Sequence, residues 1–477
     1  MDKRPERRTA VKGRGKSTPV RLAAALLTVL AVTSCTGGVD GTPGSSGTHD
    51  PLFPRLGNDG YHVQHYSLDL DYDPASGHLK GGATIVARAT KDLSAFDLDF
   101  AGMDVAEATV DSRPAAVNRA GDELTLRPRQ ELTEGATFTA YVRYSGSPKT
   151  ITDLDGSVEG WLKSPDGGVL ALGEPTGSMT WFPSNNHPRD KATYDINVTV
   201  PDGLQAVSNG ELAAKTSNKG RTTFSWRTKE PMATYLATVA IGPYEIDDKG
   251  ITKSGIPVYT AVDPRVKKQT AAVVAQLPDI MAWEEKNFGP YPFSSTGVIV
   301  SPAKSAGYAL ETQNRPVMPL DHFDTTTLVH ELTHQWFGDS VTPATWRDMW
   351  LNEGFAQYSE WLWSEEHGGP SAQRLFDQEY AKDDGDEIWS FPPAEPPTAA
   401  EVSARPVYVR GAMVVHKIRQ AVGDEKFHAL LRDWVGTHRH ANASTAEFTR
   451  FVDKEAGQSL PAVWDTWLYG DGKPDSP

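Results

Sequence analysis

The sequence predicts an α+β protein, with an N-terminal antiparallel β-sandwich or saddle followed by a mainly helical domain. Three observations carry that expectation. From residue 61 to 244 the chain runs in short stretches of alternating apolar and polar residues, broken by Gly, Pro, Asp and Asn, which is the pattern of half-buried strands. After Gly242-Pro243 the apolar spacing becomes helical and stays so to the C-terminus. The 477 residues, 38% hydrophobic, suffice for two or three domains, and the 42 Gly and 34 Pro are too dispersed for a fibrous chain. A formal net charge of -15 leaves no cationic surface to displace counterions from phosphates, so no nucleic-acid partner is expected.

The N-terminus sets the expected compartment. Residues 1–21 carry eight basic side chains against Asp2 and Glu6, and residues 22–32 form an almost unbroken apolar run. That layout predicts a secretory signal peptide over residues 1–34, since a stable span of the bilayer core needs about 20 apolar residues. The run leads into Val32-Thr33-Ser34-Cys35, which resembles a bacterial lipobox and contains the single cysteine of the chain. The resemblance implies a lipid anchor at Cys35 and a location on the extracellular face of the cell membrane. The alternative is a free thiol beside an ordinary cleavage site, with the protein secreted. One cysteine also means no internal disulfide, which leaves stability to core packing and a metal. Residues 37–49, GGVDGTPGSSGTH, lack apolar periodicity, so residues 35–57 read as a flexible tether.

The β domain is expected over residues 58–245, from runs such as Tyr66-Ser67-Leu68-Asp69-Leu70-Asp71-Tyr72 and Tyr194-Asp195-Ile196-Asn197-Val198-Thr199-Val200. The second domain, 246–477, begins with one strand candidate at residues 256–261 and a helical stretch at 266–288, where Val273, Val274, Leu277, Ile280 and Met281 share a side.

His330-Glu331-Leu332-Thr333-His334 then offers H-E-x-x-H, with Asp324 or Thr325 as the helix N-cap and both histidines on one face about a turn apart. Two neutral imidazoles so placed can chelate one zinc ion per chain. A catalytic zinc needs a third protein ligand and an open position, and Glu353, 19 residues after His334 on a second helix that ends at Gly368-Gly369-Pro370, can supply it. Glu331 is too close to the first ligand to bind the same ion easily, but it can serve as general base toward the attacking water.

The segment HELTHQWFGDSVTPATWRDMWLNEGFAQYSEW resembles the zinc core of gluzincin aminopeptidases of the aminopeptidase N type. That resemblance implies a thermolysin-like catalytic domain over 246–477 and removal of N-terminal residues from peptides with a free N-terminus. It extends to Tyr408-Val409-Arg410-Gly411-Ala412-Met413-Val414-Val415, where Tyr408 would donate its phenol to the developing oxyanion. A free α-ammonium calls for carboxylates beside the scissile bond. In the family a G-x-M-E-N segment provides one, matched here by Gly307-Tyr308-Ala309-Leu310-Glu311-Thr312-Gln313 with only the glutamate retained. Gly173-Glu174-Pro175 lies eight residues before Phe182-Pro183, a spacing similar to that of the residue lining the family's amine pocket. Glu311 and Glu174 are therefore the implied ammonium acceptors. The larger members add a C-terminal helical domain, and a chain stopping at Pro477 is expected to have a more open cleft.

Two rivals remain open in the sequence: a zinc endopeptidase with the same core, and a catalytically silent zinc-containing surface binding protein. A purely structural site would need neither Glu331 nor Tyr408. No G-x-S-x-G elbow appears, and Cys35 lies outside the catalytic region, so serine and cysteine chemistry have no support. His438 and His440 with Arg439 read as a solvated polar turn, and Trp346, Trp350, Trp361 and Trp363 as packing beside the zinc helices.

Overall fold

The strand Tyr61–Asp73 sets the frame: its alternate residues Tyr66, Leu68, Leu70 and Tyr72 are all buried, so one face turns inward. This is a computed structural model, which describes residues 39–154, 156–164, 167–302 and 304–477. The expected signal peptide and Cys35 lie outside the described residues.

Tyr61–Asp73 sits inside an eight-stranded sheet whose order is Glu211–Asn218, Arg221–Met232, Ala192–Pro201, Tyr61–Asp73, His78–Ala89, Thr137–Gly146, Asp104–Val110 and Arg113–Pro114. The sheet is mixed, which corrects the purely antiparallel expectation. Ala192–Pro201 runs parallel to Tyr61–Asp73, with Ile196 opposite Leu68 and Val198 opposite Leu70. Parallel neighbours need a long crossover, and the strands between them in sequence provide it, some extending the same sheet beyond Tyr61–Asp73 and the rest forming other sheets. Alternation within one strand cannot report the direction of a partner so distant in sequence.

A five-stranded sheet, in the order Thr150–Thr152, Val158–Lys163, Val169–Leu172, Val239–Gly242 and Gln205–Ser208, faces the inner side of the first. Tyr72 meets Trp161 edge-on at 5.4 Å between ring centroids, and the Trp226 indole donates to the Ala206 carbonyl at 3.0 Å. Both contacts cross between the sheets, where the large aromatic side chains fill the sandwich core.

The expected flexible tether over 35–57 is corrected for its described part. Thr42–Pro43 adds as a parallel strand to Leu93–Asp99. Asp50, with its side chain fully buried, accepts from the backbone N–H groups of Leu52 at 2.8 Å and Phe53 at 3.0 Å. Its other oxygen takes the Trp346 backbone N–H at 2.9 Å and pairs with His187 Nε2 at 3.1 Å. The Phe53 ring lies 5.5 Å from that of Trp346. Residues 42–57 are thus a strap joining the β region to the helical region.

The helical region opens on a four-stranded sheet in the order Glu245–Ile251, Pro257–Val262, Thr296–Ser301 and Val317–Pro319. Only its second strand was expected. All six residues of Thr296–Ser301 are buried, so the strand has no polar face and no alternation to betray it. Helices α1 (Lys267–Val274) and α2 (Leu277–Phe288) form the crossover between the second and third strands. They replace the single helical stretch expected at 266–288, because Pro278 lacks a backbone donor and starts a new helix in its first turn.

Helix α3 (Thr325–Thr333) is capped by Asp324, whose side chain accepts from Thr327 N at 2.8 Å. Helices α4 (Trp350–Glu366), α5 (Ala372–Tyr380), α6 (Gly411–Val422), α7 (Asp424–Thr437) and α8 (Thr445–Ala456) follow. Trp346, Trp350 and Trp361 are buried beside them, and Trp363 packs at their edge. α4 and α6 touch backbone to backbone: a Cβ on Gly411 would sit 3.0 Å from Gly354 Cα, and one on Gly354 would sit 2.9 Å from the Gly411 carbonyl carbon. No helix among the described residues is long and apolar enough to cross a membrane.

Candidate active site

Four residues make slightly more than one helical turn, so α3 presents His330 and His334 on one face with ring centroids 4.8 Å apart. Glu353 reaches them from the first turn of α4, its Oε2 lying 3.2 Å from His330 Nε2 and 3.4 Å from His334 Nε2. The outer ring nitrogens are held as well. His330 Nδ1 donates to Glu360 Oε1 at 2.8 Å, and His334 Nδ1 donates to the Phe337 carbonyl at 3.0 Å. With each Nδ1 engaged on the outer side, Nε2 is the ring atom that each histidine turns toward Glu353 and could offer to a metal.

The ligand atoms of His330, His334 and Glu353 lie within 4.8 Å of one another, and all three residues are buried. Buried imidazoles with their tautomers fixed, beside a carboxylate, form the His2Glu donor set of a catalytic zinc site, and these residues fit that ion. Glu360 is a functional residue that the sequence reading missed. Its signal was available, because seven residues, two helical turns, separate it from Glu353 and keep both on one face of α4.

Glu331 projects from α3 between these ligands. Its Oε2 is buried without a hydrogen-bond partner, and burial pushes the carboxyl up to about 8. Glu311 comes from the loop between Thr296–Ser301 and Val317–Pro319. Gln335 pins that loop, donating to the Glu311 carbonyl at 2.9 Å and accepting from Asn314 N at 2.8 Å. Glu311 is 2% exposed, its Oε1 has no partner, and burial raises its pKa. Glu311, Glu331 and His334 also offer ligand atoms within 4.8 Å of one another.

Glu174 enters from the β region, in the turn after Val169–Leu172. Buried Glu159 anchors that turn by accepting from Thr176 N at 3.0 Å and Gly177 N at 2.8 Å. Burial, followed by the charges of Glu311, Glu353 and Glu331, holds the Glu174 carboxyl well above its usual range. Burial acts on Glu353 in the same sense, but His334 and His330 outweigh it and bring that carboxyl down to about 2.

Tyr408 sits on a π-helical turn, Pro406–Arg410, directly before α6. Its ring stacks parallel to that of His330 at 6.1 Å, and its hydroxyl is within reach of the Glu353 carboxylate. The contact between Gly354 and Gly411 sets this placement, since each glycine lies within three residues of one of the two functional groups. All seven residues singled out in the sequence (Glu174, Glu311, His330, Glu331, His334, Glu353 and Tyr408) line one cavity of about 570 Å³. His438 and His440 stay away from it. Arg439 donates to His440 Nε2 at 3.1 Å in a turn.

Comparison with known proteins agrees with this arrangement. The family model described as the Peptidase M1 N-terminal domain matches residues 62–236, and that described as the Peptidase family M1 domain matches residues 280–467. Glutamyl aminopeptidase of Bos taurus is 27% identical over 338 residues, covering 63% of this chain and 34% of the relative. Aminopeptidase 2 of Candida albicans is 23% identical over 455 residues, covering 86% of this chain and 47% of the relative. The chain thus spans between a third and a half of the length of these curated relatives. Among solved structures, a variant of the M1 zinc metallopeptidase of Deinococcus radiodurans, bound to a Tyr-Ser-Ala substrate, superposes with a TM-score of 0.83 at 29% identity, covering 90% of this chain and 99% of that one. A two-domain M1 zinc metallopeptidase variant bound to L-arginine superposes with a TM-score of 0.84 at 29% identity and the same coverage.

Proposed function

The chain belongs to peptidase family M1, and from that premise we propose that it is a zinc aminopeptidase releasing N-terminal residues from peptides with a free N-terminus. In this reading the β region, 58–245, lends Glu174 to a catalytic region, 246–477, that supplies every other group. The carrying observation is the joining, in one cavity, of the His330, His334 and Glu353 donor set with the partnerless carboxylate oxygens of Glu331 and Glu311. His330, His334 and Glu353 would hold the zinc, which when bound supplies Lewis-acid chemistry, activating water and polarising a carbonyl.

The chain's own groups do the rest. Glu174 and Glu311, raised in pKa by burial, are relieved by a cationic guest, and the substrate's α-ammonium is that guest. This fixes the peptide by its end and sets the first peptide bond at the metal ligands. Glu331 Oε2 takes a proton from the attacking water and returns it to the leaving amine. Tyr408 donates its hydroxyl to the oxyanion from beside His330. The bound Tyr-Ser-Ala and L-arginine of the structural neighbours support a site that accepts peptide N-termini and free amino acids.

The test is hydrolysis of neutral aminoacyl amides by the purified protein, with and without a chelator, beside Glu331→Gln. The expected result is chelator-sensitive release that drops by about 10²–10⁴-fold in the variant while zinc content stays at one per chain. N-acetylated peptides should resist cleavage. Equal cleavage of blocked and free peptides would replace this reading with an endopeptidase, and loss of all hydrolysis with zinc bound would leave a binding protein.

The lipid anchor at Cys35 and a position on the outer face of the membrane are part of the same proposal. They are supported by the basic and apolar N-terminal pattern alone. Detergent-phase partitioning that disappears in Cys35→Ala would bear the anchor out, and an unchanged aqueous distribution would refute it.

A further inference from the structure

Residues two apart on a helical turn point to roughly opposite sides, so the π-turn Pro406–Arg410 sends Tyr408 and Arg410 in different directions. Tyr408 lines the cavity, whereas Arg410 is completely buried outside it. The Arg410 guanidinium is given over to main-chain carbonyls. Its Nε donates to Trp467 O at 3.1 Å and its Nη1 to Phe391 O at 3.4 Å. Its Nη2 donates to Thr466 O at 3.2 Å and also to Gly470 O. The Trp389 ring centroid lies 5.8 Å from the guanidinium carbon. Nothing in the reaction described above uses this cluster.

Thr466 and Trp467 belong to a second π-turn, Trp464–Leu468, and Gly470 follows just past it. The last carbonyls of a helical turn find no donor inside it, and a guanidinium offers a fork that serves several of them at once. Burial lowers the group to about 10, so it stays charged near neutral pH and the bonds it donates are charge-assisted. Gly470 permits the close approach: a Cβ there would lie 2.5 Å from the Thr466 oxygen and 2.8 Å from that of Asp465. The turn that carries Tyr408 is held more thinly from within. Pro406 has no N–H to donate, and the Gly411 N–H is shared between the Pro406 and Tyr408 carbonyls.

We propose that Arg410 is a positioning residue for Tyr408: it clamps the turn that carries the phenol to the segment 464–470, and so fixes where the hydroxyl stands when the oxyanion forms. A displacement of about 1 Å costs on the order of 100-fold in rate, so the anchor of this turn governs catalysis although it lies outside the cavity. Gly354 and Gly411 set how closely the turn approaches α4, and Arg410 ties it to the segment 464–470. The proposal rests on the aminopeptidase reading above and adds to it a residue that touches neither substrate nor metal.

The experiment is a double-mutant cycle on a neutral aminoacyl coumarin amide, with kcat, KM, zinc content and urea unfolding read for each zinc-loaded protein. Two substitutions loosen the clamp. Arg410→Lys replaces the fork with a single ammonium centre, around which the carbonyls must regroup. Gly470→Ala leaves Arg410 intact and pushes its acceptors apart. Arg410→Lys should lower kcat on the order of tenfold and Gly470→Ala about threefold, with KM within about twofold and zinc content unchanged. In a Tyr408→Phe background, itself about 10²–10³-fold slower, neither should lower kcat by more than about twofold, because the group they displace is gone. Should Arg410→Lys not fold, Gly470→Ala decides alone. The proposal is overturned if Gly470→Ala or a folded Arg410→Lys keeps the wild-type kcat. It is equally overturned if either loss is as large in the Tyr408→Phe background, which would make the clamp a matter of stability only. Those outcomes, with the wild-type protein active, sink this inference alone. A wild-type protein that hydrolyses no aminoacyl amide sinks the aminopeptidase reading and this inference with it.

Discussion

Gly411→Ala puts the placement of Tyr408 under direct test. The added methyl would lie 3.0 Å from Gly354 Cα, where ordinary contact begins at 3.4 Å, so α4 and α6 must part by about 0.4 Å or more. The obstacle is backbone, which cannot swing aside as a side chain can. Overpacking of this kind costs about 1–3 kcal/mol of stability. Because Glu353 precedes Gly354 and Tyr408 lies three residues before Gly411, the same displacement moves the phenol away from the metal ligands. A misplacement of about 1 Å costs on the order of 100-fold in rate, so 0.4 Å scales to about five- to tenfold in kcat. KM should change little, since the ammonium acceptors sit on other elements. The assay is kcat and KM on a neutral aminoacyl amide, with zinc content and urea unfolding measured on the same preparation. Gly436→Ala on α7 is the control, because its methyl would meet nothing within 4 Å. Wild-type kcat and an unchanged unfolding midpoint in Gly411→Ala would refute the reasoning, for the helices would then yield without moving the tyrosine.

Glu360→Gln loosens the hold on His330 and should weaken zinc binding about 10–100-fold, read by competition with a coloured chelator. Asp50→Ala leaves His187 and the Trp346 N–H buried without their acceptor and should cost about 3–5 kcal/mol in urea unfolding. Asp99 accepts from Asn58 Nδ2 at 3.1 Å and Asn186 N at 2.8 Å, and burial pushes its carboxyl up to about 7. The folded protein thus keeps a proton that the unfolded chain has already lost, so Asp99 makes stability fall as pH rises from about 4 to about 7 and adds no further change above that. Asp99→Asn should make the stability profile shallower in that window, measured as unfolding midpoint against pH.

The chemistry was more legible in the sequence than the fold was. His330, Glu331 and His334 lie within five residues, and helical periodicity alone puts the two histidines together, so no long-range knowledge is needed. Glu311 and Glu174 are different. Neither adjoins a ligand in sequence, and only the family resemblance pointed to them, yet both line the same cavity. Glu360 shares a helix face with Glu353 by its seven-residue spacing, but that spacing does not name its partner, the outer nitrogen of His330, which only the placed rings identify. Thr296–Ser301 was missed because complete burial erases alternation, and the parallel pairing of Ala192–Pro201 because strand direction is decided by a partner far away in sequence. Residues 42–57 looked like a tether because the small polar side chains up to His49 show no apolar periodicity, and Leu52 and Phe53 are too few to make one. What orders them is one aspartate and the distant groups that it meets.

That strap also imposes an order of events on synthesis. The chain is made from its N-terminus, and Asp50 waits 296 residues for the Trp346 amide that it accepts. Until that amide emerges, the β region can assemble its sheets but cannot seat Phe53 or bury the Asp50 charge against its final partner. The strap therefore docks late, and its closure marks a nascent chain that has been made at least through helix α3.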